Sequence, residues 1–313
     1  MARDAVNPAI QPALDELIAL RRAPRGKPLR PRLPARSLLA GAHHSRFRGR
    51  GMDYLESRLY QPGDDIRNLD WRVTARSGKP HTKLYHEERE RPVVLLVDLG
   101  PGMFFATRGR FKSVIAARAA AFLGWSAVAH GDRVGALLFN GGHRELKPRG
   151  GDKGALRLIQ ELLAAADPQA GARAEPRPGA LNEALRRLRR VARPGSLVVV
   201  LSDFHEFDDD TGLLLGQLRR HGEVLAIQIL DPLELAPPPP AIYPVSDGHR
   251  RGWLDLASRA RREEYRELFA RRHRRLDELV KARAIPLLRL ATDEDVADSL
   301  GAWLAGLSGG SVR

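Results

Sequence analysis

The sequence has no cysteine at all and very little lysine. Without a thiol among its 313 residues, disulfides, thiolate zinc sites, iron–sulfur clusters and cysteine nucleophiles are excluded together. Only seven of the 52 cationic side chains are lysine. The arginine excess fits genome composition as well as phosphate recognition, so the formal charge of +14 decides little by itself. Apolar runs are short, and none approaches the roughly 18 residues of a membrane span. The first 32 residues hold no apolar stretch of signal-peptide length between their charges. A cytoplasmic chain without a membrane span is the expectation. Several catalytic signatures are missing as well. There is no Gly-x-x-x-x-Gly-Lys-Ser/Thr loop, no Gly-x-Ser-x-Gly elbow and no third glycine after Gly49 and Gly51. ATPase, hydrolase and dinucleotide readings therefore lose their usual support.

What is present suits a globular protein. Hydrophobic content is 43% and charged content 29%, near the averages for folded domains. At roughly 150 residues per domain the length allows one large or two modest domains. Apolar spacing over 7–22 predicts an amphipathic helix, stopped by a Pro/Arg/Gly segment at 23–34, so residues 1–40 form a helix and a Pro/Arg-rich lead. Residues 41–91 are dense in charge and turn residues, with strand-like stretches only at 57–60 and 81–86. They predict a small irregular subdomain held by polar contacts.

From residue 92 the text alternates regularly. Strands are predicted at 93–97, 133–139, 197–201, 224–230 and 286–290, and a hairpin arm at 143–147 across Asn140, Gly141 and Gly142. Helices are predicted at 110–129, 153–165, 181–191, 211–220 and 294–304. Continuously apolar strands separated by helices imply an α/β fold with a doubly wound, mainly parallel sheet over 92–305. A helical insertion at about 236–283, made of a proline run and a long Arg/Glu-rich helix, interrupts it. Ligands of such sheets sit beyond the carboxyl ends of the strands where strand order reverses. Asp98 and Asp203 both fall at that edge, where aspartate also serves as an ordinary turn residue.

A first strand ending in Asp98, the turn Gly100-Pro101-Gly102-Met103, a helix, then GDRVGALLFN and LVVVLSDF resemble a von Willebrand factor A-type domain. The stretch RLYQPGDDIRNLDWRVTARSGKPHTKLYHEE resembles the signature preceding such a domain in the bacterial family called domain of unknown function 58. Together the two resemblances cover most of the chain from about residue 46 to 230. They imply a protein-interaction module rather than an enzyme, with a metal-ion-dependent adhesion site built from Asp-x-Ser-x-Ser, a loop threonine and a further aspartate. One metal position in such domains is left open for a partner's carboxylate. Here Gly100 and Gly102 stand at the serine positions and Ala180 where the threonine is expected; Asp98 and Asp203 alone match. Two carboxylates without the hydroxyls make a degenerate magnesium site, and no cofactor is expected. Ser202 and Thr107 are nearby oxygens that would compensate.

The family resemblance also implies a working partner, a MoxR-type AAA+ ATPase, and an adaptor role linking that ATPase to client proteins during assembly or maturation. On this reading Asp98, Gly100, Gly102 and Asp203 bind the partner. Asp64, Asp65, Arg67, Asp70, Arg72 and Arg76 crowd around Trp71. Either they form a charge network with Trp71 as a core anchor, or Asp70, Trp71 and Arg76 are a recognition surface. His43, His44, His81, His86 and His205 lack metal-ligand spacing on a helix. The alternative function is nonspecific nucleic-acid binding. It would use Arg186, Arg187, Arg189 and Arg190 on one helix and the arginines between 259 and 275 on another, where interleaved acids at three- and four-residue spacing also suit a solvated face.

Overall fold

A computed structural model describes residues 7–23, 29, 52–61, 64, 66–87, 90–140, 142–171, 173–246 and 251–309. The chain divides into two compact units, Leu33–Glu90 on the one hand and Met1–Arg32 with Arg91–Arg313 on the other. His43, His44, Gly63 and Asp65 lie outside the described residues, as does Gly141 of the predicted hairpin turn.

The first helix, α1 (Leu14–Ala19), continues as a single 3-10 turn to Arg22. It is shorter than the helix expected over 7–22, because Pro8 and Pro12 interrupt the run. A residue before proline is pushed out of the helical region, and residues 7–11 form a turn closed by Ile10 N–H and Gln11 N–H on the Asn7 carbonyl.

In the smaller unit, β1 (Met52–Leu59) pairs antiparallel with β2 (His81–Glu87), and α2 (Trp71–Ser77) lies between them in sequence. Asp70 starts α2 by accepting N–H bonds from Arg72 and Val73, both at 3.2 Å. An N-terminal cap of this kind satisfies donors that the helix cannot. Gly78 ends the helix at φ 68° with its N–H on the Thr74 carbonyl, the left-handed conformation glycine adopts without a Cβ clash.

The larger unit contains a six-stranded sheet. Its strands are β3 (Pro92–Asp98), β4 (Arg133–Phe139), β5 (His143–Arg149), β6 (Leu197–Ser202), β7 (Glu223–Leu230) and, after a small separate hairpin of β8 (Ile242–Ser246) and β9 (Arg251–Asp255), β10 (Leu287–Ala291). The order across the sheet is β10-β7-β6-β3-β4-β5, and every neighbour pair is parallel except β4 with β5. The α/β, doubly wound, mainly parallel architecture is thus present. Strand order reverses between β3 and β6.

Helices cover both faces. They are α3 (Lys112–Ala129), α4 (Gly151–Ala165), the single turn α5 (Pro168–Gly171), α6 (Ala180–Val191), α7 (Asp209–His221), the single turn α8 (Pro232–Leu235), α9 (Arg259–Lys281) and α10 (Val296–Gly309). Side chains of β3 alternate between two cores. Val93, Leu95 and Val97 pack with α3, α4 and α10, while Val94 and Leu96 pack with α6, α7 and the end of α9. This is the period of two expected of a strand buried on both sides.

The stretch at 236–283 holds more than the proline run and long helix expected of it. Residues 242–255 form the β8–β9 hairpin, with Pro244 inside a two-stranded ribbon where a missing N–H is tolerated. Helix α9 is the crossover that carries the chain from β7 to the parallel β10, and Leu276 and Val280 at its end are core residues.

Candidate functional site

Asp98 is the last residue of β3 and Asp203 immediately follows β6, so the two meet where strand order reverses. Val97 pairs with Leu201 across the two strands, which brings the strand ends level. Asp98 Oδ1 accepts the Gly100 N–H at 2.9 Å, and Oδ2 accepts the Ser202 hydroxyl at 2.6 Å. Asp203 Oδ1 accepts the His205 N–H at 2.8 Å. Between them Phe204, fully buried, adopts φ 50°, a left-handed conformation rare for a bulky side chain. That strained turn aims the Phe204 N–H at Ser202 Oγ (3.0 Å) and frees the His205 N–H for Asp203.

The remaining carboxylate oxygen meets a residue that sequence reasoning missed. Lys112, the first residue of α3, is almost entirely buried. Its Nζ lies 3.5 Å from Asp203 Oδ2 and forms an ion pair with Glu234 of α8, also buried. The signal for it was slight. A lysine at a helix start reads as a surface cation, and nothing local marks a partner 122 residues away.

Burial is the main reason the Asp98 carboxyl is pushed up to about 7. The Asp203 charge adds to the rise, while the Ser202 hydroxyl, the Gly100 N–H and Lys112 act against it. The rim is held by protein donors and the ion-paired Lys112.

Gly100 and Gly102 face the two aspartates directly. A Cβ on Gly100 would lie 3.2 Å from Asp98 Oδ1, and one on Gly102 would lie 3.3 Å from Asp203 Oδ2. Side chains at both positions therefore point at the rim, as the serines of an adhesion site would, but here they carry no oxygen. Ala180 lines the same cleft, also without a hydroxyl. Thr107, expected as a compensating oxygen, is elsewhere. Its N–H and Oγ1 both bond to Asp231, each at 2.6 Å. Ser202 is at the rim, but its hydroxyl proton is committed to Asp98.

This donor set does not fit a magnesium ion. Magnesium requires near-octahedral oxygen ligation and holds several waters. Both oxygens of Asp98 and one of Asp203 already accept protein hydrogen bonds, and the fourth faces an ammonium. Among the described residues no group of three or more His, Cys, Asp or Glu side chains has metal-holding geometry.

The cleft above the rim has a volume of about 120 Å³. Glu175, Arg177, His205 and Glu206 form its lips together with Gly100 and Gly102.

The other residues singled out from sequence belong to the smaller unit. Asp70 is 6% exposed and accepts the Ser57 hydroxyl at 2.6 Å besides capping α2. That hydroxyl is the main reason its carboxyl is held below the usual range, helped by the N–H groups of Val73 and Arg72 and the nearby Lys83 charge, against partial burial. Trp71 is not a core anchor: it is 68% exposed. It is the first residue of a short helix on which Val73 and Thr74 take the more sheltered positions. The charge network expected around it is also dispersed. Asp64 pairs with Arg58 at 2.7 Å, and Arg72 and Arg76 are exposed. His81 bonds locally to Ser77 and Lys79.

The arginine-rich helices are partly neutralised. Arg186 pairs with Asp210 at 3.2 Å and Arg187 approaches Glu183 at 3.9 Å. On α9, Arg261 pairs with Asp255 and Arg266 with Glu263, and Arg275 stacks over Phe207 at 5.6 Å.

Residues 56–276 match the family model described as "Protein of unknown function DUF58". The chain belongs to this family. It is similar to uncharacterized proteins of Mycobacterium bovis and Mycobacterium tuberculosis, 32% identical over 270 residues that cover 86% of this chain and 81% of each of theirs. Among solved structures it is similar to the conserved hypothetical protein BatB of Bacteroides thetaiotaomicron (TM-score 0.44, 12% identity, 70% of this chain and all of that one). A second likeness is to a von Willebrand factor type A protein of Catenulispora acidiphila (TM-score 0.36, 12% identity, 73% and 44%). A third is to an aerotolerance-related membrane protein of Bacteroides fragilis (TM-score 0.43, 14% identity, 69% and 96%). In this DUF58 member no helix among the described residues is long and apolar enough to cross a membrane.

Proposed function

We propose that this DUF58 member is a noncatalytic adaptor of the von Willebrand factor A type, whose rim around Asp98 and Asp203 docks another protein without a bridging metal. The observation that carries the reading is the state of the rim itself. Its carboxylates are fixed by Gly100, Ser202, His205 and Lys112, and the cleft they floor holds about 120 Å³. Small-molecule sites usually enclose about 300–1,000 Å³. A shallow, pre-organised, polar edge at the switch point suits a protein surface better than a metabolite.

The proposed partner is a MoxR-type AAA+ ATPase, for which the adaptor presents client proteins in assembly or maturation. Asp98, Gly100, Gly102 and Asp203 form one docking patch. Trp71 and Arg76, both exposed, form a second, and tryptophan and arginine are the residue types that most often dominate interfaces. Asp70 contributes by fixing the start of α2, and with it the position of Trp71.

The experiment is a pull-down of a MoxR-type AAA+ ATPase by the tagged 313-residue chain, in magnesium and in EDTA. Retention in both, with loss on Glu206→Arg or Trp71→Ala, is the expected result. Loss of binding on chelation overturns the metal-free part. Absence of binding in either buffer overturns the choice of partner.

A further inference from the structure

Lys112 does something that neither the family nor the fold assigns to it. The rim and its surroundings set two carboxylates, Asp203 and Glu234, against one buried ammonium, and the charge of that ammonium also acts on the neighbouring Asp98. Bringing carboxylates out of water without a cation is costly, and a buried charge survives only when it is paired. Burial at this edge does not by itself require a cation. Asp231, for example, takes Thr107 N–H and Oγ1, Leu233 N–H and Thr292 Oγ1. Asp203 and Glu234 are different: among the described residues Lys112 is the cation they share.

Two approaches converge on Asp203 Oδ2. One is the Cβ direction of Gly102 at 3.3 Å, and the other is Lys112 Nζ at 3.5 Å. A hydroxyl from position 102 would stand beside the same oxygen that the ammonium now faces. The hydroxyl missing at position 102 and the internal positive charge thus meet at one carboxylate, whereas position 100 faces Asp98.

We infer that Lys112 is the rim's permanent cation, an internal ammonium that takes the electrostatic place of a divalent ion and keeps the Asp98–Asp203 edge formed at any metal concentration. The ammonium comes from the first turn of α3, so the charge cannot be removed by a chelator. It also ties the start of that helix to α8 through Glu234. The inference concerns what fills the rim, and it stands or falls independently of which protein docks there.

The test is a Mn²⁺ titration of the full chain followed by electron paramagnetic resonance, with thermal melts in parallel. Wild type is expected to show no saturable Mn²⁺ site up to millimolar ion and no shift in melting temperature. Lys112→Met leaves Asp203 and Glu234 without their shared cation. It is expected to bind Mn²⁺ at least tenfold more tightly than wild type, to melt lower without the ion and to recover with it. Adding Asp203→Asn should abolish the gained site. If Lys112→Met does not fold, Lys112→Met/Glu234→Gln removes one charge of each sign and permits the same comparison. Saturable Mn²⁺ binding by wild type that is lost in Asp203→Asn overturns the inference. So does a folded lysine variant, single or double, that gains no affinity for the ion.

Discussion

Ser202 donates its hydroxyl proton to Asp98 across the boundary where strand order reverses, with 2.6 Å between the oxygens. One residue closes β6 and the other closes β3, so the bond joins the two halves of the sheet at the rim. Hydrogen bonds to charged groups contribute more than neutral ones, and a buried acceptor left without its donor costs about 1–3 kcal/mol. Ser202→Ala should lose stability by about that amount, measured by urea unfolding at pH 8. A change below about 0.5 kcal/mol would mean that water replaces the hydroxyl.

The raised Asp98 carboxyl has a definite pH signature. Its folded value is about 7 against an ordinary 3.8, so the folded state binds the proton more tightly than the unfolded one. The corresponding stability is fully present below about pH 4 and is lost as pH rises towards 7. Asp98→Asn removes this dependence. The difference in unfolding free energy between wild type and Asp98→Asn should therefore move in favour of the variant as pH rises from 4 to 8. A difference that stays flat with pH would contradict the assignment.

Asp231 fastens the loop after β3 to the ends of β7 and β10. It is fully buried and accepts from Thr107, Leu233 and Thr292. Asp231→Ala orphans several donors at once and should cost about 3 kcal/mol or more. Asp231→Asn, which keeps part of the acceptor capacity, should cost less. Chemical denaturation of the two variants side by side checks the order.

Asp70 and Trp71 are neighbours with opposite expectations. Asp70→Ala removes an N-cap and should destabilise by about 1 kcal/mol. Trp71→Ala removes an exposed ring and should stay within about 0.5 kcal/mol of wild type, while weakening capture of the ATPase. Equal destabilisation by the two substitutions would show that the ring is buried in solution.

The sheet was legible because its strands are continuous apolar runs bounded by turn residues, which is how a strand covered on both faces must read. The rim aspartates were legible for the same reason: Asp98 and Asp203 stand where those runs stop. Partnerships across the fold were not legible. The pairing of Lys112 with Glu234 joins residues whose local contexts are an ordinary helix start and an ordinary turn. Thr107 resembled a rim oxygen because it follows β3, yet Asp231, far along the chain, takes both its donors. Sequence left Trp71 open between a core anchor and a recognition surface, because an aromatic ring suits either place; its exposure excludes the anchor. The β8–β9 hairpin was hidden by the prolines before it and within it, which speak against an ordinary strand.

Trp125 donates its indole N–H to the Leu17 carbonyl at 3.0 Å, and Leu17 and Leu20 pack with it against Ala121, Ala155 and Ile159. The N-terminal turn-and-a-half thus plugs a trough between α3 and α4, although the family match begins only at residue 56. A fragment trimmed to the matched stretch would bare a tryptophan with an orphaned donor on one flank. At the opposite margin it would strip β10 from β7 and leave raw edge backbone. The borders by which the family is recognised are therefore not borders at which this molecule can be cut.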